Sequence, residues 1–554
     1  MTTTSFLVVR PLRSISRAFR VSFSARTPTL KFPLLLLLLV YVCITQFAHA
    51  QKSRSTSSAV RSPRLPAPEK IVNDYIKVAG GKKRLAAIKD ATYEWSAVVQ
   101  DQKITRATSQ QKTPAAARTD LSYKAGGTSS ASASPRSAWV RDADGLSRTL
   151  TDTEAGAAKL QAALAASRFL DFKKLNILAR TVALEQTSSE PTYIVEFSTR
   201  EGARLRYHFS APSKLLLQIT DDTRQTVTRF GDYRAENGTL EPHRIDIETK
   251  NQPPRLFTLH AARYNTNVSD AVFDPPSAEA LDIPALLREV EQNQKKIDER
   301  VAEYSYTEKQ TEREVNDRGE VTKTTVKVIE IVHLPGGGGF TRLISENGVP
   351  LSPERAAKQD KQIQEQVAKY EQEREKREQK KLEAEKSGKV KKKDDDDDLT
   401  VADFVRICEF VAPRRERLRD REAIVFDVRP RPGFRPSNRT ESIVAKLNGV
   451  AWIDPVDKEV MRFEARFVEG IKVAGGLLAS VRPGAAFVFE QARVADGLWL
   501  PRFAQANISL KVLLFKGIEI NQTQEFSDYR RASTETKDYK LDAPKTDTAA
   551  PKKL

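Results

Sequence analysis

The chain has 554 residues, of which 39% are hydrophobic and 30% are charged, and its formal net charge is +18. This length excludes a single hydrophobic core, so two domains with connecting segments are expected. The only cysteines are Cys43, in an N-terminal apolar segment, and Cys408. A chain that loses this segment on export keeps one thiol, which excludes stabilisation by internal disulfides.

The first 50 residues have the pattern of an export signal. Six basic residues and no acidic residue precede or adjoin the apolar run PLLLLLLVYVCIT, which extends from Pro33 to Thr45. Ala48-His49-Ala50 fits a signal-peptidase site, so cleavage is expected between Ala50 and Gln51. The run is short for a membrane span, and an uncleaved N-terminal anchor is the alternative.

The charge and the signal together indicate a cell compartment. Loss of the signal removes six positive charges and leaves a formal charge of about +12. A basic exported protein meets anionic lipid headgroups and other envelope polyanions, so an anionic membrane surface is a candidate partner and nucleic acid is not. We therefore expect a periplasmic or otherwise exported protein of a Gram-negative-type envelope.

The first domain is predicted at 68–277, after a flexible linker at 51–67. A helix beginning at Pro68 should stop at Gly80-Gly81. The segment 106–138 is rich in Ser, Thr, Ala and Gln and is interpreted as a mobile loop.

Helix and strand patterns fill the rest of this domain. ATYEWSAVVQ at 91–100 predicts the first strand, and the Ala-rich segment 155–164 predicts a short helix. From Thr192 onward, alternating apolar and polar residues predict a series of antiparallel strands.

The second domain is predicted at 284–532. It begins with an amphipathic helix at 284–301, and strands with a period of two follow. A highly charged segment at 352–398 interrupts the strands and predicts a long helix. Its few apolar residues do not sustain heptads, which favours a solvated single helix over a partner-binding coiled coil. The polar tail at 533–554 is expected to be disordered.

A short phrase occurs once in each predicted domain. FGDYRAENGTLEP begins at Phe230 and FEQARVADGLWLP begins at Phe489, with Phe, Arg, Gly and Pro at matching positions. Asn-Gly and Asp-Gly supply the positive φ of a two-residue turn, so both phrases predict a β-hairpin corner. The shared order of helix, strands and corner indicates a domain duplication, although unrelated hairpins also reuse these turn residues.

The chain resembles two-domain exported proteins of the outer-membrane lipoprotein-sorting group, to which the carriers LolA and LolB belong. The resemblance is carried by turn and packing motifs, namely YIKVAGG, FGDYRAENGTLEP, NVSDAVFDPP, GVAWIDP and VADGLWLP. It implies the α+β class, with two curved antiparallel half-barrel sheets, each packed against helices, and here a long charged helix inserted in the second. It also implies an apolar concave face that can hold acyl chains.

Six aromatic residues in strand-like segments are candidates for lining such a face. They are Trp95, Tyr193, Phe197, Phe209, Trp452 and Trp499. Packing in a filled core is the alternative role for each of them.

The sequence contains no pattern typical of catalysis or metal binding. The histidines at 208, 243, 260 and 333 are not spaced as zinc ligands, and no G-x-S-x-G motif occurs. Gly336–Gly339 lacks the Gly-Lys-Ser/Thr of a phosphate loop, and Asp394–Asp398 is interpreted as a solvated linker. We therefore expect no catalytic residue, no cofactor and no metal.

These patterns favour a non-enzymatic envelope protein that binds a lipid, or the acyl chains of a lipoprotein, in an apolar concave sheet. The alternative is a structural or protein-interaction protein of the envelope, with filled cores and no ligand. In that case the charged helix and the basic surface would carry the role. A hydrolase is a third hypothesis, for which no triad or metal set is found.

Overall fold

The computed structural model describes residues 65–531, with gaps at 100–101, 187–189, 278–280, 302–303, 317–320, 334–338, 387–400, 474–478, 495–496 and 513–514. The predicted signal with its cleavage site at Ala50 and Gln51, the linker up to residue 64, the end of the charged insertion and the tail at 533–554 all lie outside the described residues.

The described residues of the first half of the chain form one antiparallel sheet of thirteen strands and three α-helices. The helices are α1 (Pro68–Val78), α2 (Lys82–Ala87) and α3 (Asp152–Ser167). The strands are β1 (Asp90–Val99), β2 (Gln102–Lys112), β3 (Ala116–Tyr123), β4 (Thr128–Ala133), β5 (Ala138–Arg141), β6 (Ser147–Thr149), β7 (Leu178–Gln186), β8 (Pro191–Ser198), β9 (Arg204–Ser210), β10 (Leu216–Asp221), β11 (Thr226–Glu236), β12 (Thr239–Thr249) and β13 (Arg255–Tyr264). Their spatial order is β6-β5-β4-β3-β2-β1-β13-β12-β11-β10-β9-β8-β7.

The part of the second half that the structure describes repeats this plan with four α-helices and thirteen strands. The helices are α4 (Ile283–Val301), α5 (Pro353–Lys386), α6 (Val401–Ile407) and α7 (Arg439–Val444). The strands are β14 (Tyr304–Val315), β15 (Val321–His333), β16 (Gly339–Glu346), β17 (Val349–Pro350), β18 (Cys408–Leu418), β19 (Arg421–Pro430), β20 (Leu447–Ile453), β21 (Val460–Phe467), β22 (Ile471–Val473), β23 (Ala479–Val481), β24 (Ala486–Arg493), β25 (Trp499–Val512) and β26 (Phe515–Arg531). Eleven follow one path, β17-β16-β15-β14-β26-β25-β24-β21-β20-β19-β18, and the β22–β23 hairpin pairs with β25.

The two sheets share one topology. In each, the first and last strands pair at the centre, β1 with β13 and β14 with β26. The repeated phrases form the β11–β12 and β24–β25 hairpins, which occupy equivalent places in this order. The predicted α+β class, with two curved antiparallel sheets packed against helices, is confirmed.

The turns of the two hairpins formed by the repeated phrases differ. In the first, Glu236 pairs with Thr239, and Asn237 and Gly238 form the predicted two-residue turn with φ of 48° and 83°. The prediction of a two-residue turn is wrong for the second corner, where the last ladder pair is Arg493 with Trp499; residues 495–496 of this corner lie outside the described residues. The amide of Val494 donates to the carbonyl of Leu498 at 2.8 Å and closes this wider loop.

The mobile loop predicted at 106–138 is wrong, because this segment lies mostly in β2, β3 and β4. The low hydrophobicity that suggested a loop has a packing cause. Ala107 and Ala133 are buried, and α3 contacts β2, β3 and β4. Short side chains let an alanine-rich helix approach this part of the sheet, and Ser and Thr are compatible with strands. The helix itself, Asp152–Ser167, is longer than the predicted 155–164.

Apolar stripes hold the helices of the first half on its sheet. Helix α1 begins with Pro68 at its first turn and buries Ile71, Val72 and Ile76. These side chains join one core cluster with Leu164 of α3 and with aromatic residues of β8 and β9.

The inserted helix α5 is anchored on the second sheet by its N-terminal half. Ile363 and Val367 pack against Val332 and Phe340. The side-chain amide of Gln359 accepts from the Leu343 amide and donates to its carbonyl, both at 3.1 Å, and so mimics a neighbouring strand. None of the helices in the described part of the chain has the length and apolar content to cross a bilayer.

Buried polar contacts join the two halves. Asp427 of β19 accepts hydrogen bonds from Ser137 at 2.6 Å and from Arg136 at 3.0 Å. Glu416 of β18 accepts from the amide and the hydroxyl of Thr149, both at 2.8 Å. Since β6 and β18 are edge strands of their sheets, these contacts bring the two edges together.

Candidate functional site

A cavity of about 390 Å³ lies between the first sheet and helix α3. The helix presents Ala158, Ala162 and Ala165 to it, and the opposite walls carry aromatic and aliphatic side chains. The sheet contributes Trp95, Phe230, Ile245, Ile247 and Phe257 to the apolar wall.

One part of the cavity wall is polar and centres on Glu241. Its carboxylate accepts hydrogen bonds from the hydroxyls of Tyr264 at 2.7 Å, Thr239 at 3.3 Å and Tyr93 at 3.5 Å. Burial raises the pKa of this carboxyl above its ordinary 4.5, and the hydrogen bonds and the nearby Arg168 only partly oppose the shift. Burial also raises the pKa of the Tyr93 and Tyr264 hydroxyls, so both remain donors.

Arg168 supplies a positive charge beside this carboxylate. It caps the C-terminus of α3 in the left-handed conformation, with φ of 51°. Its guanidinium donates to the Tyr93 hydroxyl at 3.1 Å and lies 5.7 Å from the centre of the Tyr264 ring. Within the described residues it forms no ion pair with a carboxylate.

The other described arginines of the cavity wall each form an ion pair with a carboxylate. Arg118 pairs with Asp120 at 2.8 Å, and Arg224 pairs with Asp221 at 2.5 Å. Among the described arginines of the wall, Arg168 alone is held without a carboxylate, by the Tyr93 hydroxyl, the Tyr264 ring and the Ala166 carbonyl at 3.5 Å. Its guanidinium can therefore bind a polar group of a ligand.

Trp95 lines the apolar wall of the cavity. Its indole N–H is buried and has no acceptor among the described residues. Buried donors are normally satisfied, so this N–H is an exception in the wall.

The structure distributes the six aromatic candidates over three environments. Trp95 lines the cavity. Phe197 and Phe209 are completely buried in the core cluster beneath α1 and α3, and Tyr193 packs against that cluster. Trp452 lies in a core cluster of the second half. Trp499 belongs to the same cluster and also lines a separate groove.

The polar residues of the cavity, Glu241, Arg168 and Tyr93, were not among the candidates. One sequence signal could have indicated Glu241: when the repeated phrases are aligned on their prolines, it matches Leu500, which is fully buried. A carboxylate at an inward position that is leucine in the other copy suggests a function in the first copy alone. No comparable signal marks Arg168, whose partner Tyr93 lies far away in the sequence.

The described residues hold no group of three or more His, Cys, Asp or Glu side chains arranged for a metal ion. Cys408 is fully buried, and burial raises the pKa of its thiol to about 12, so it is inert at neutral pH. The cavity therefore offers shape, apolar surface and hydrogen-bonding groups.

No family model matches the sequence, and neither does any curated protein. Similar solved structures include a LolA superfamily protein from Nitrosomonas europaea, with 11% identity and a TM-score of 0.28. The match covers 38% of this chain and 99% of the Nitrosomonas chain. A putative outer membrane lipoprotein-sorting protein domain from Vibrio parahaemolyticus has 9% identity and a TM-score of 0.26, covering 37% of this chain and 97% of its own. The complex of MucA and MucB from Pseudomonas aeruginosa has 7% identity and a TM-score of 0.16, covering 83% of this chain and 99% of its own. The lipoprotein-sorting group that the sequence resembles is thus also found among similar structures.

Proposed function

We propose that this protein is an exported, non-enzymatic binding protein of the cell envelope, and that the cavity of its first domain holds one acyl chain of a lipid or a lipidated partner. The first domain would comprise 68–277 and the second 284–532, as the sequence indicates. The basic N-terminal signal, with cleavage before Gln51, would direct the chain to the periplasm.

The observation that supports this proposal is the combination of a largely apolar cavity and a polar end. The volume of about 390 Å³ falls within the ~300–1,000 Å³ of small-molecule sites. Each methylene buried in it would contribute about 0.8 kcal/mol. The head group of the ligand would lie near Arg168 and Glu241, where hydrogen-bonding groups replace the solvent that it leaves.

Native mass spectrometry of the purified full chain, followed by delipidation and titration with a dansyl-labelled fatty acid, tests the proposal. We expect a co-purified lipid and saturable binding at micromolar concentration. A delipidated, folded protein that binds no labelled fatty acid at this concentration would falsify the proposal.

A role in protein interaction is the second candidate, since α5 is braced on the second sheet through Gln359 and Ile363 at its N-terminal half. Deleting 352–398 discriminates between the two. If the deletion abolishes partner capture and leaves lipid binding intact, the interaction role is supported. If the deleted protein keeps both partner capture and lipid binding, the segment 352–398 has no part in either.

A further inference from the structure

A second concave site lies in the other half of the chain, at the corner formed by its copy of the repeated phrase. It is a groove of about 560 Å³ between the β18–β19 turn and the β24–β25 hairpin. Four arginines line it, at positions 419, 421, 493 and 502. Asp420 is the one acidic residue in the described lining.

The same corner of the first half is closed. There, Arg84 of α2 donates to the carbonyl of Gly238 at 2.7 Å, and the amide of Leu240 donates to Ala79 at 3.0 Å. In the second half only residues 302–303 separate α4 from β14, and the described residues contain no counterpart of α2 at this corner. Within the described part of the chain, one copy of the phrase therefore forms a covered hairpin and the other an open one.

Carboxylates behind the groove hold three of these arginines in position. Arg421 pairs with Asp454 at 2.6 Å, and the Asp454 side chain is only 2% exposed. Arg493 and Arg421 both reach Asp457, and Arg419 pairs with the buried Glu490.

The guanidinium groups nevertheless remain accessible. The side chains of Arg419, Arg421 and Arg493 are 42%, 34% and 49% exposed. Arg502 is exposed and has no ion-pair or hydrogen-bond partner among the described residues. Fixed, exposed guanidinium forks match the planar oxygens of carboxylates and phosphates.

A buried acceptor in the wall indicates a further property of the occupant. Gln491 is 4% exposed and lines the groove, but its side-chain oxygen has no hydrogen-bond partner in the described residues. Its amide nitrogen makes one long contact, 3.4 Å, to Gln294 of α4. An unsatisfied buried oxygen is unfavourable, and a ligand donor that reached it would remove that cost.

We propose that this groove binds an acidic saccharide, that is, a hydroxyl-rich molecule carrying carboxylate or phosphate groups. The oxyanions bind the arginine forks, and a sugar hydroxyl donates to the oxygen of Gln491. An acidic peptide fits less well, because it would bind the arginines through its side chains alone and would gain no main-chain pairing with a free strand edge. Strands β19, β24 and β25 of the wall are each paired on both sides, and the edge strand β18 contacts β6 of the first half.

Calorimetric titration of the full chain with an oligogalacturonate tests this proposal. We expect saturable binding that weakens with added salt, because the contacts are ionic, and no binding of a neutral glucan of equal length. A phosphorylated oligosaccharide in a parallel titration shows which oxyanion is preferred. Binding of either acidic saccharide supports the proposal, and binding of neither overturns it.

Two variants place the site. Arg502→Gln removes a charge without breaking a described contact, and Gln491→Leu removes the unsatisfied oxygen. Each variant should bind the saccharide about tenfold more weakly, which is the effect expected for the loss of one charged or buried hydrogen bond. Arg234→Gln is the control, since Arg234 is an exposed arginine of the corresponding hairpin in the first half and does not line the groove. The proposal is wrong if both variants bind like the parent, or if oligoglutamate binds as tightly as the saccharide.

Discussion

Asp427 of the second sheet accepts a hydrogen bond of 2.6 Å from Ser137 of the first half, and both residues are buried. The same carboxylate pairs with Arg414, whose side chain is 1% exposed. Two halves that share a buried network of ion pairs and hydrogen bonds should unfold together, because separating them would leave the charged groups without their partners.

The first prediction concerns this contact. Asp427→Ala leaves the Arg414 guanidinium buried with one fewer carboxylate, and it should lower the free energy of unfolding by about 3–5 kcal/mol. Urea denaturation measures the loss. Asp232→Ala is the control, since Asp232 belongs to an exposed pair with Arg234 and its removal should change little. Equal effects of the two substitutions would contradict the structural role of Asp427.

The second prediction concerns the volume of the cavity. Ala165 of α3 is half-buried and lines the cavity, so Ala165→Leu places three further carbon atoms where an acyl chain would lie. We expect binding of a dansyl-labelled fatty acid to weaken at least about tenfold, with a shift of selectivity toward shorter chains. Ala86→Leu makes the same change at an exposed position of α2 and should leave binding unaltered. Unchanged affinity in Ala165→Leu would place the ligand elsewhere.

The third prediction concerns the head group. Arg168→Gln removes the positive charge at the polar end, and binding of a fatty acid should weaken about tenfold, as expected for a hydrogen bond to a charged group. Binding of the corresponding fatty alcohol should change much less, and this difference separates a charge effect from a loss of structure. Arg263→Gln is the control, because Arg263 forms an exposed pair with Glu94. Equal losses for acid and alcohol would argue against a charged head group.

Much of the fold could be predicted from sequence, since the signals are local. Alternation predicts the strand Arg204–Ser210, although burial follows it only to Tyr207 and His208 is also buried. The Asn237-Gly238 turn is marked by two residues. The strands in 106–138 were missed because, apart from Leu121, their buried residues are alanine and serine, and an alanine-rich helix packs on this part of the sheet.

The site was harder to predict because long-range contacts create it. Trp95 was a candidate as an aromatic residue in a strand, but so were Phe197 and Phe209, which lie in the core. Only the folded chain brings Arg168 to Tyr93, so no spacing in the sequence marks that pair. Polar residues at inward positions are the better guide, since their burial is costly without a use.

The fourth prediction concerns pH and Glu241. Because burial raises its pKa in the folded state, the folded protein binds a proton more tightly than the unfolded chain. Its contribution to stability is therefore present at low pH and is lost as pH rises from about 4.5 through the raised folded pKa.

Glu241→Gln should remove that dependence. The amide keeps an oxygen acceptor for the Tyr264 hydroxyl, so we expect a more stable protein at pH 8 and a smaller gain at pH 4, measured by urea denaturation. Glu94→Gln is the control, since the ion pair with Arg263 lowers the pKa of that exposed carboxyl and the sign is opposite. A variant that is less stable than the parent at pH 8 would show that the charged form of Glu241 is favoured by its neighbours.

The fifth prediction compares glycines at three turns. Gly238, Gly348 and Gly497 have φ of 83°, 78° and 72°, so alanine at each should cost about 1 kcal/mol from the left-handed conformation alone. A Cβ at Gly348 meets nothing within 4 Å, and one at Gly497 would lie 3.3 Å from the flexible end of Arg493. These two substitutions should therefore have similar effects.

Gly238→Ala should cost more. Its Cβ would lie 2.3 Å from the Arg84 guanidinium, so the hydrogen bond from Arg84 to the Gly238 carbonyl must break, which adds about 1 kcal/mol. Urea denaturation of the three glycine variants, each with and without Arg84→Ala, measures the coupling energy between Arg84 and each glycine. At Gly238 this coupling energy reports the lost hydrogen bond. We expect coupling at Gly238 and none at Gly348 or Gly497, because α2 covers the first corner and leaves the second open. Equal costs at all three glycines would remove the structural contrast between the two copies of the repeated phrase.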